Sequence, residues 1–125
     1  MIIKIPTLQR KFNEETQKVE SKREEMTVSI DTSFLAHLKW EEQFQSTLGI
    51  SLAEYVERVK VWIKDQEMAK ANFLGMLKLL YCYVNSDNLP TFKEFIKLFE
   101  PEIAEEIIKK IATVLDEITK TAAKN

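Results

Sequence analysis

The chain has 125 residues, of which 45% are hydrophobic, 30% charged and 10% aromatic, and its net charge is −2. This is the length of one domain, enough to bury about two-thirds of the unfolded surface, and the apolar content is too high for a disordered chain. One Cys excludes an internal disulfide, one His and one Cys leave little material for zinc, haem or nucleophile–histidine chemistry, and two Gly cannot build a phosphate-cradling loop. The near balance of 18 basic and 20 acidic residues gives no bulk attraction to nucleic acid or to an anionic membrane.

The first six residues, MIIKIP, are apolar but too short for a signal-peptide core. The longest nearly apolar run, Phe73 to Val84, is interrupted by Lys78. It falls far short of the roughly 20 residues a membrane span needs. These features, with the lone Cys, predict a protein of a reducing cytoplasm without a membrane partner.

Ile2, Ile3, Ile5 and Leu8 form an apolar start, and Met26, Val28 and Ile30 alternate with Thr27 and Ser29 at the period of a half-buried strand. Between them, residues 11–25 carry 9 charges, 4 basic and 5 acidic. The simplest architecture over 1–30 is a β-hairpin whose solvated tip or arms hold the charges, with a long, mobile connection at 11–25 because no Gly or Asn-Gly marks a tight turn. An exposed helix is the competing reading, since Glu, Lys, Gln and Arg are good helix formers.

From Asp31 the pattern is helical. Asp31, Thr32 and Ser33 are candidate N-caps for a helix carrying Phe34, Leu35 and Leu38, ending near Leu48 with Gly49 as its left-handed stop. Ser51-Leu52-Ala53-Glu54 is a capping box, with Ile50 and Tyr55 at the staple positions. Leu52, Tyr55, Val56, Val59 and Ile63 then follow the helical period. The pattern resets at Lys64 to Glu67. Met68 to Val84 is apolar nearly all round, so it is central or faces a partner. Asn85 to Pro90 reads as a turn, and Thr91-Phe92-Lys93-Glu94 as a second capping box. Pro101 suits the start of a last helix with the stripe Ile103, Ala104, Ile107, Ile108, Ile111, Leu115 and Ile118. Glu105/Lys109, Glu106/Lys110 and Asp116/Lys120 are acid-first pairs on its other side, and Thr121 to Asn125 should fray. The fold class expected is mainly α (α+β): one domain over 1–125, with a short N-terminal β-hairpin and then a bundle of about five helices over 31–122.

Catalytic signals are sparse. His37 has no recognisable partner, and Cys82 sits in the most apolar helix, where burial suits it better than reactivity. Adjacent carboxylates such as Glu41/Glu42 point about 100° apart on a helix and do not converge on a metal. The helix after Gly49 carries Glu54 and Glu57 in its first half, which would repel phosphate and argues against a DNA reader. The expectation is therefore no enzyme, cofactor, metal or small-molecule substrate. The distinctive feature is aromatic, with Trp40, Phe44, Tyr55, Trp62, Tyr81, Tyr83, Phe92, Phe95 and Phe99 available for a core or for a groove that takes an apolar helix.

The stretches Ser29-Ile-Asp-Thr-Ser33, Lys39-Trp-Glu-Glu-Gln-Phe44, Tyr55-Val-Glu-Arg58 and Leu89-Pro-Thr-Phe-Lys-Glu-Phe95 resemble the tail assembly chaperones of long, non-contractile-tailed phages and prophages of Gram-positive bacteria. The resemblance spans about residues 26–118, with Gln45 standing where many relatives have proline. It implies a small, mostly helical protein of the infected cell's cytoplasm that is absent from the finished virion. Its implied partners are the tape measure protein, which it would keep soluble, and the tail-tube subunit, which it would help recruit; self-association is left open. The matching positions are Trp40, Glu41, Phe44, Tyr55, Glu57, Arg58, Leu89, Pro90, Phe92 and Phe95. Each has two readings: helix packing, with Arg58 paired to Glu41 or Glu54, or client binding, with Trp40, Phe44 and Tyr55 in the groove. A small helical regulator or adaptor of a mobile element is the alternative function.

Overall fold

A computed structural model describes residues 1–67, 72–85 and 89–124. The architecture is α+β: among the described residues it has three strands and six α-helices, with a 3-10 turn at Pro101–Ile103. The order is β1 (Ile2–Asn13), β2 (Lys18–Ile30), α1 (Leu35–Gln43), α2 (Gln45–Leu48), α3 (Leu52–Lys64), α4 (Phe73–Tyr83), β3 (Val84–Asn85), α5 (Phe92–Ile96) and α6 (Ala104–Lys124).

The hairpin is much longer than the alternating residues alone suggest. β1 and β2 pair antiparallel from Ile2↔Ser29 to Asn13↔Lys18. Only Glu14–Gln17 remains as a turn, so the long connection expected over 11–25 is replaced by two continuing strands. The turn closes without glycine. The Asn13 side-chain oxygen accepts from the backbone N–H groups of Glu15 and Thr16 (2.9 and 3.3 Å), and Gln17 takes the left-handed conformation at φ 57°. At the outer end, Phe12 pairs with Val19 and Lys11 with Glu20, two combinations that favour pairing. Two ion pairs tie the arm back to the body, Arg10 to Glu102 and Arg23 to Glu106. Glu106 thus meets the hairpin, where the i,i+4 pattern had assigned it to Lys110.

At its base the hairpin enters the core through Ile3, Ile5, Val28 and Ile30. β2 is the middle strand, flanked by β1 and, at Ser29 and Ile30, by β3. Pro6 does not interrupt the sheet. The even-numbered residues of β1 turn their backbone groups to its outer edge, where Leu8 N–H reaches the Leu98 carbonyl at 2.9 Å, so the N–H that Pro6 lacks is not a ladder donor.

The helix expected from Asp31 to Leu48 is broken. It starts at Leu35 after Phe34; of the expected caps, Asp31 accepts from Ser33 N–H at 2.8 Å and the Ser33 hydroxyl accepts from Leu35 N–H at 3.3 Å. It ends at Phe44, whose φ of −127° leaves the helical region, and Gln45 opens α2. Gly49 then stops α2 in the left-handed conformation (φ 75°), as expected. Both N-caps form, with Ser51 accepting from Glu54 N–H and Thr91 from Glu94 N–H, so each expected capping box supplies its N-cap half. The second opens only five residues of helix, not a run to Phe99.

α4 is the central element, with every residue from Gly75 to Tyr83 buried except the half-buried Lys78. The chain itself covers this helix, packing α1, α5 and α6 against it. Met68 to Ala71 at the start of the expected apolar segment, residues 86–88 of the expected turn, and Asn125 lie outside the described residues. α6 is helical to Lys124. Its buried stripe is Ile107, Ile111 and Leu115, joined by Val114 and continued by Ile103 of the preceding 3-10 turn.

Gly75 marks the tightest approach, since a Cβ there would run into the Tyr55 hydroxyl. Tyr55 is itself buried and held between Trp40 and Trp62, so it has little room to give. Gly75→Ala should therefore destabilise by about 1–3 kcal/mol despite alanine's better helix propensity. In a Tyr55→Phe background, which removes the hydroxyl, the same substitution should cost clearly less. Urea denaturation of the four proteins checks this, and equal costs in both backgrounds would contradict the clash.

Candidate functional site

The ten positions that carry the resemblance divide by the direction they face. Trp40 and Phe95 are fully buried, and Phe44 and Tyr55 are nearly so. Their rings form one connected lattice. Trp40 lies 5.8 Å from Phe44 and 5.2 Å from Tyr55, and Phe44 lies 5.0 Å from Phe92. Tyr81 joins Phe92 (5.4 Å) to Phe95 (5.1 Å), and Phe95 reaches Phe99 (5.1 Å). Most of these contacts are edge-on, the arrangement the ring quadrupoles favour. Lys78 places its ammonium 5.7 Å from the Phe44 ring centre.

Polar atoms inside this lattice are matched. The Trp40 indole N–H donates to the Ile50 carbonyl at 2.9 Å, across the Gly49 turn. The Tyr81 hydroxyl donates to the Pro90 carbonyl at 2.6 Å, tying the half-buried Leu89-Pro90 segment to α4. Packing thus accounts for Trp40, Phe44, Tyr55, Leu89, Phe92 and Phe95, and Pro90 is tied in through its carbonyl. A groove built from Trp40, Phe44 and Tyr55 is not open at the surface.

Glu41, Glu57 and Arg58 face outward. Among the described residues Arg58 pairs with neither Glu41 nor Glu54, and Glu57 meets Lys60 at 3.3 Å. Glu57 and Arg58 flank Val61 and Trp62, and the four line a shallow, mostly apolar depression of about 450 Å³ on α3. Val61 is 51% exposed, and Trp62 lies half-buried with its ring 6.3 Å from Tyr55 at 83°. Tyr55 therefore connects the interior Trp40 to the surface Trp62. Val61 carried a readable signal: it is an apolar residue two positions past Val59, off the buried stripe of α3. A second apolar area, Phe34, Leu35 and Leu38, is exposed on α1, with the Phe34 ring 5.8 Å from His37.

Among the described residues no group of three or more His, Cys, Asp or Glu side chains could hold a metal ion, and no helix is long and apolar enough to cross a membrane. Cys82 is buried in α4, and burial pushes its thiol up to about 12 against the small opposing effect of Lys39. Burial likewise raises the Tyr83 hydroxyl to about 12, and the hydroxyls of Tyr55 and Tyr81 are raised for the same reason. No family model, curated protein or solved structure matches the chain.

These buried acids make a prediction about pH. Once unfolded, the Cys82 thiol and the Tyr83 hydroxyl lose their protons near their ordinary values of 9.0 and 10.0; folded, they keep them to about 12. The folded state therefore binds more protons across that window, and stability falls as pH rises through it. The urea midpoint should be lower at about pH 10.5 than at about pH 8, and Tyr83→Phe should shrink the drop. An unchanged midpoint would contradict the burial of both groups.

Proposed function

We propose that this chain is a tail assembly chaperone that works by surface contact without catalysis. In this reading it binds the tape measure protein in the host cytoplasm, keeps it soluble, helps recruit tail-tube subunits and does not remain in the finished virion. The observation that carries the proposal is the division of the Tyr55-Val-Glu-Arg58 motif, whose Tyr55 turns inward while Glu57 and Arg58 border the exposed Val61 and the half-buried Trp62.

That surface suits the chemistry. A long tape measure helix, as the resemblance implies, would expose an apolar stripe flanked by polar and charged residues. Val61 and Trp62 offer apolar area to the stripe, and the opposite charges of Glu57 and Arg58 can pair along its edges. Burial of a few hundred Å² of apolar surface contributes several kcal/mol at about 25 cal/mol per Å², before association costs. Many copies along one client would add avidity.

The test is co-expression with the tape measure protein, following how much of it stays soluble. The unmodified chain should raise the soluble fraction. Val61→Glu puts a charge into the depression at an exposed site, so it should abolish that effect while leaving stability within about 0.5 kcal/mol. Trp40→Ala, by contrast, should cost about 3–5 kcal/mol through the cavity it leaves. Equal insolubility of the client with and without the chain would overturn the proposal. Full activity of Val61→Glu would move the binding surface elsewhere.

A further inference from the structure

The middle strand of the sheet has an open edge. β2 pairs with β1 along its whole length, but β3 covers its other side only at Ser29 and Ile30. Among the described residues, Lys18 to Val28 have no strand on that side, and Lys18 to Glu25 are all exposed. The direction of the backbone groups follows from two bonds at the base. Ile30 N–H points to the β1 side, reaching the Met1 carbonyl at 2.8 Å, and Asp31 N–H points the other way, reaching the Tyr83 carbonyl at 2.9 Å. By alternation, Val19, Ser21, Arg23 and Glu25 aim their N–H and C=O groups at the open edge. The outer edge of β1 differs: Pro6 has no N–H to offer there, and Leu8 already bonds Leu98 and Glu100. β2 is thus the edge available as a template for another strand.

The side chains specify which strand fits. One face of β2 reads Lys18, Glu20, Lys22, Glu24, a strict alternation of sign. Laid antiparallel against its own copy and centred on Ser21, β2 sets Lys18 against Glu24 and Glu20 against Lys22, and the two-fold axis repeats both pairs. Every charge on that face then meets its opposite. Centring on Val19 or on Arg23, which also face the open edge, keeps only one of these opposite-charge pairings, Lys18 with Glu20 or Lys22 with Glu24. Centring on a residue, not between two, also keeps the two faces of the sheet in register.

The hydrogen-bond phase agrees with this register. Ser21 would exchange backbone bonds with Ser21 of the second copy, and Val19 with Arg23. The charged pairs would fall at the non-hydrogen-bonded positions, where Cα atoms approach to about 4.5 Å and side chains interact most closely. Within the chain, Lys11 already sits opposite Glu20, so the ladder of alternating charge would continue from β1 across the axis. The Lys22–Glu24 ion pair of 3.0 Å does not block it, since the two side chains are 67% and 55% exposed. Arg23, held by Glu106, would lay its stem beside the exposed Val19. The two bodies would lie at opposite ends of the shared sheet.

We propose that this protein pairs with a second copy of itself through the open edge of β2, antiparallel and centred on Ser21, to form a four-stranded sheet in the order β1-β2-β2-β1. The paired segment is short, so association is concentration-dependent, and it weakens with salt because the charges are exposed. The pairing does not depend on the client surface of α3.

Sedimentation equilibrium of the full chain tests it, with charge reversal as the discriminator. Lys22→Glu would face Glu20, and Glu20→Lys would face Lys22, so each variant alone should associate about tenfold more weakly or worse. An equimolar mixture of the two should form a heterodimer, because each reversed charge then meets its opposite. A folding defect could not produce that rescue. Ser21→Cys should cross-link under oxidation, since hydrogen-bonded partners lie about 5.5 Å apart, within disulfide reach. Lys18→Cys should not, and the buried Cys82 does not compete. A chain that stays monomeric to about 1 mM overturns the proposal. So does a mixture that fails to associate, or a Lys18→Cys variant that cross-links as fast as Ser21→Cys.

Discussion

The hydrogen bond from the Trp40 indole to the Ile50 carbonyl, at 2.9 Å, constrains most of what surrounds it. A fully buried N–H without an acceptor would cost about 1–3 kcal/mol, so the chain after Trp40 must bring a carbonyl back over the ring. It does so by leaving the helix at Phe44, making one further turn of helix and reversing at Gly49. α3 then starts beneath, capped by Ser51, and sends Tyr55 up against the same indole at 5.2 Å. From Phe44 the rings continue through Phe92 and Tyr81 to Phe95 and Phe99, and the Leu8 backbone bonds Leu98 and Glu100 on either side of Phe99. The hairpin is thereby joined to the helical core.

Much of this was legible in the sequence wherever one residue sets a local geometry. Gly49 stops its helix, Ser51 and Thr91 cap theirs, and the stripe of α6 faces inward, because caps and periodicity are local. The hairpin was legible, but the full length of its arms was not. Residues 9–13 and 18–25 are rich in Lys, Arg and Glu, which indicate helix or loop when taken one at a time. They form strands because pairing begun at Ile3/Val28 propagates outward, because Phe12 meets Val19, and because Arg10 and Arg23 reach Glu102 and Glu106 more than eighty residues away. No window of sequence contains those partners. The reversal was hidden as well, since Gln17 takes the left-handed position that glycine usually signals.

The same contrast holds for the proposed contact surface. Aromatic spacing on helices does not distinguish a core from a groove, and Trp40, Phe44 and Tyr55 proved to be core. The outward residues are less conspicuous: Glu57, Arg58 and the off-stripe Val61, with Trp62 beside them. Tyr55 touches both Trp40 and Trp62, so the motif that closes the interior also fixes the base of the surface depression. In this account the buried half of the motif supplies stability and the exposed half contacts the partner.

The chain contains two Trp residues, one on each side of that division, so their indole N–H resonances report on it separately. The most direct measurement is an NMR titration of the protein with an amphipathic helical peptide taken from the tape measure protein. The account predicts that the Trp62 indole signal and the backbone signals of Glu57, Arg58 and Val61 move with peptide concentration. The Trp40 indole signal, held by Ile50, should stay in place and remain protected from hydrogen exchange. A shift centred on Trp40 and Phe44, or no shift at Trp62 at saturating peptide, would contradict it.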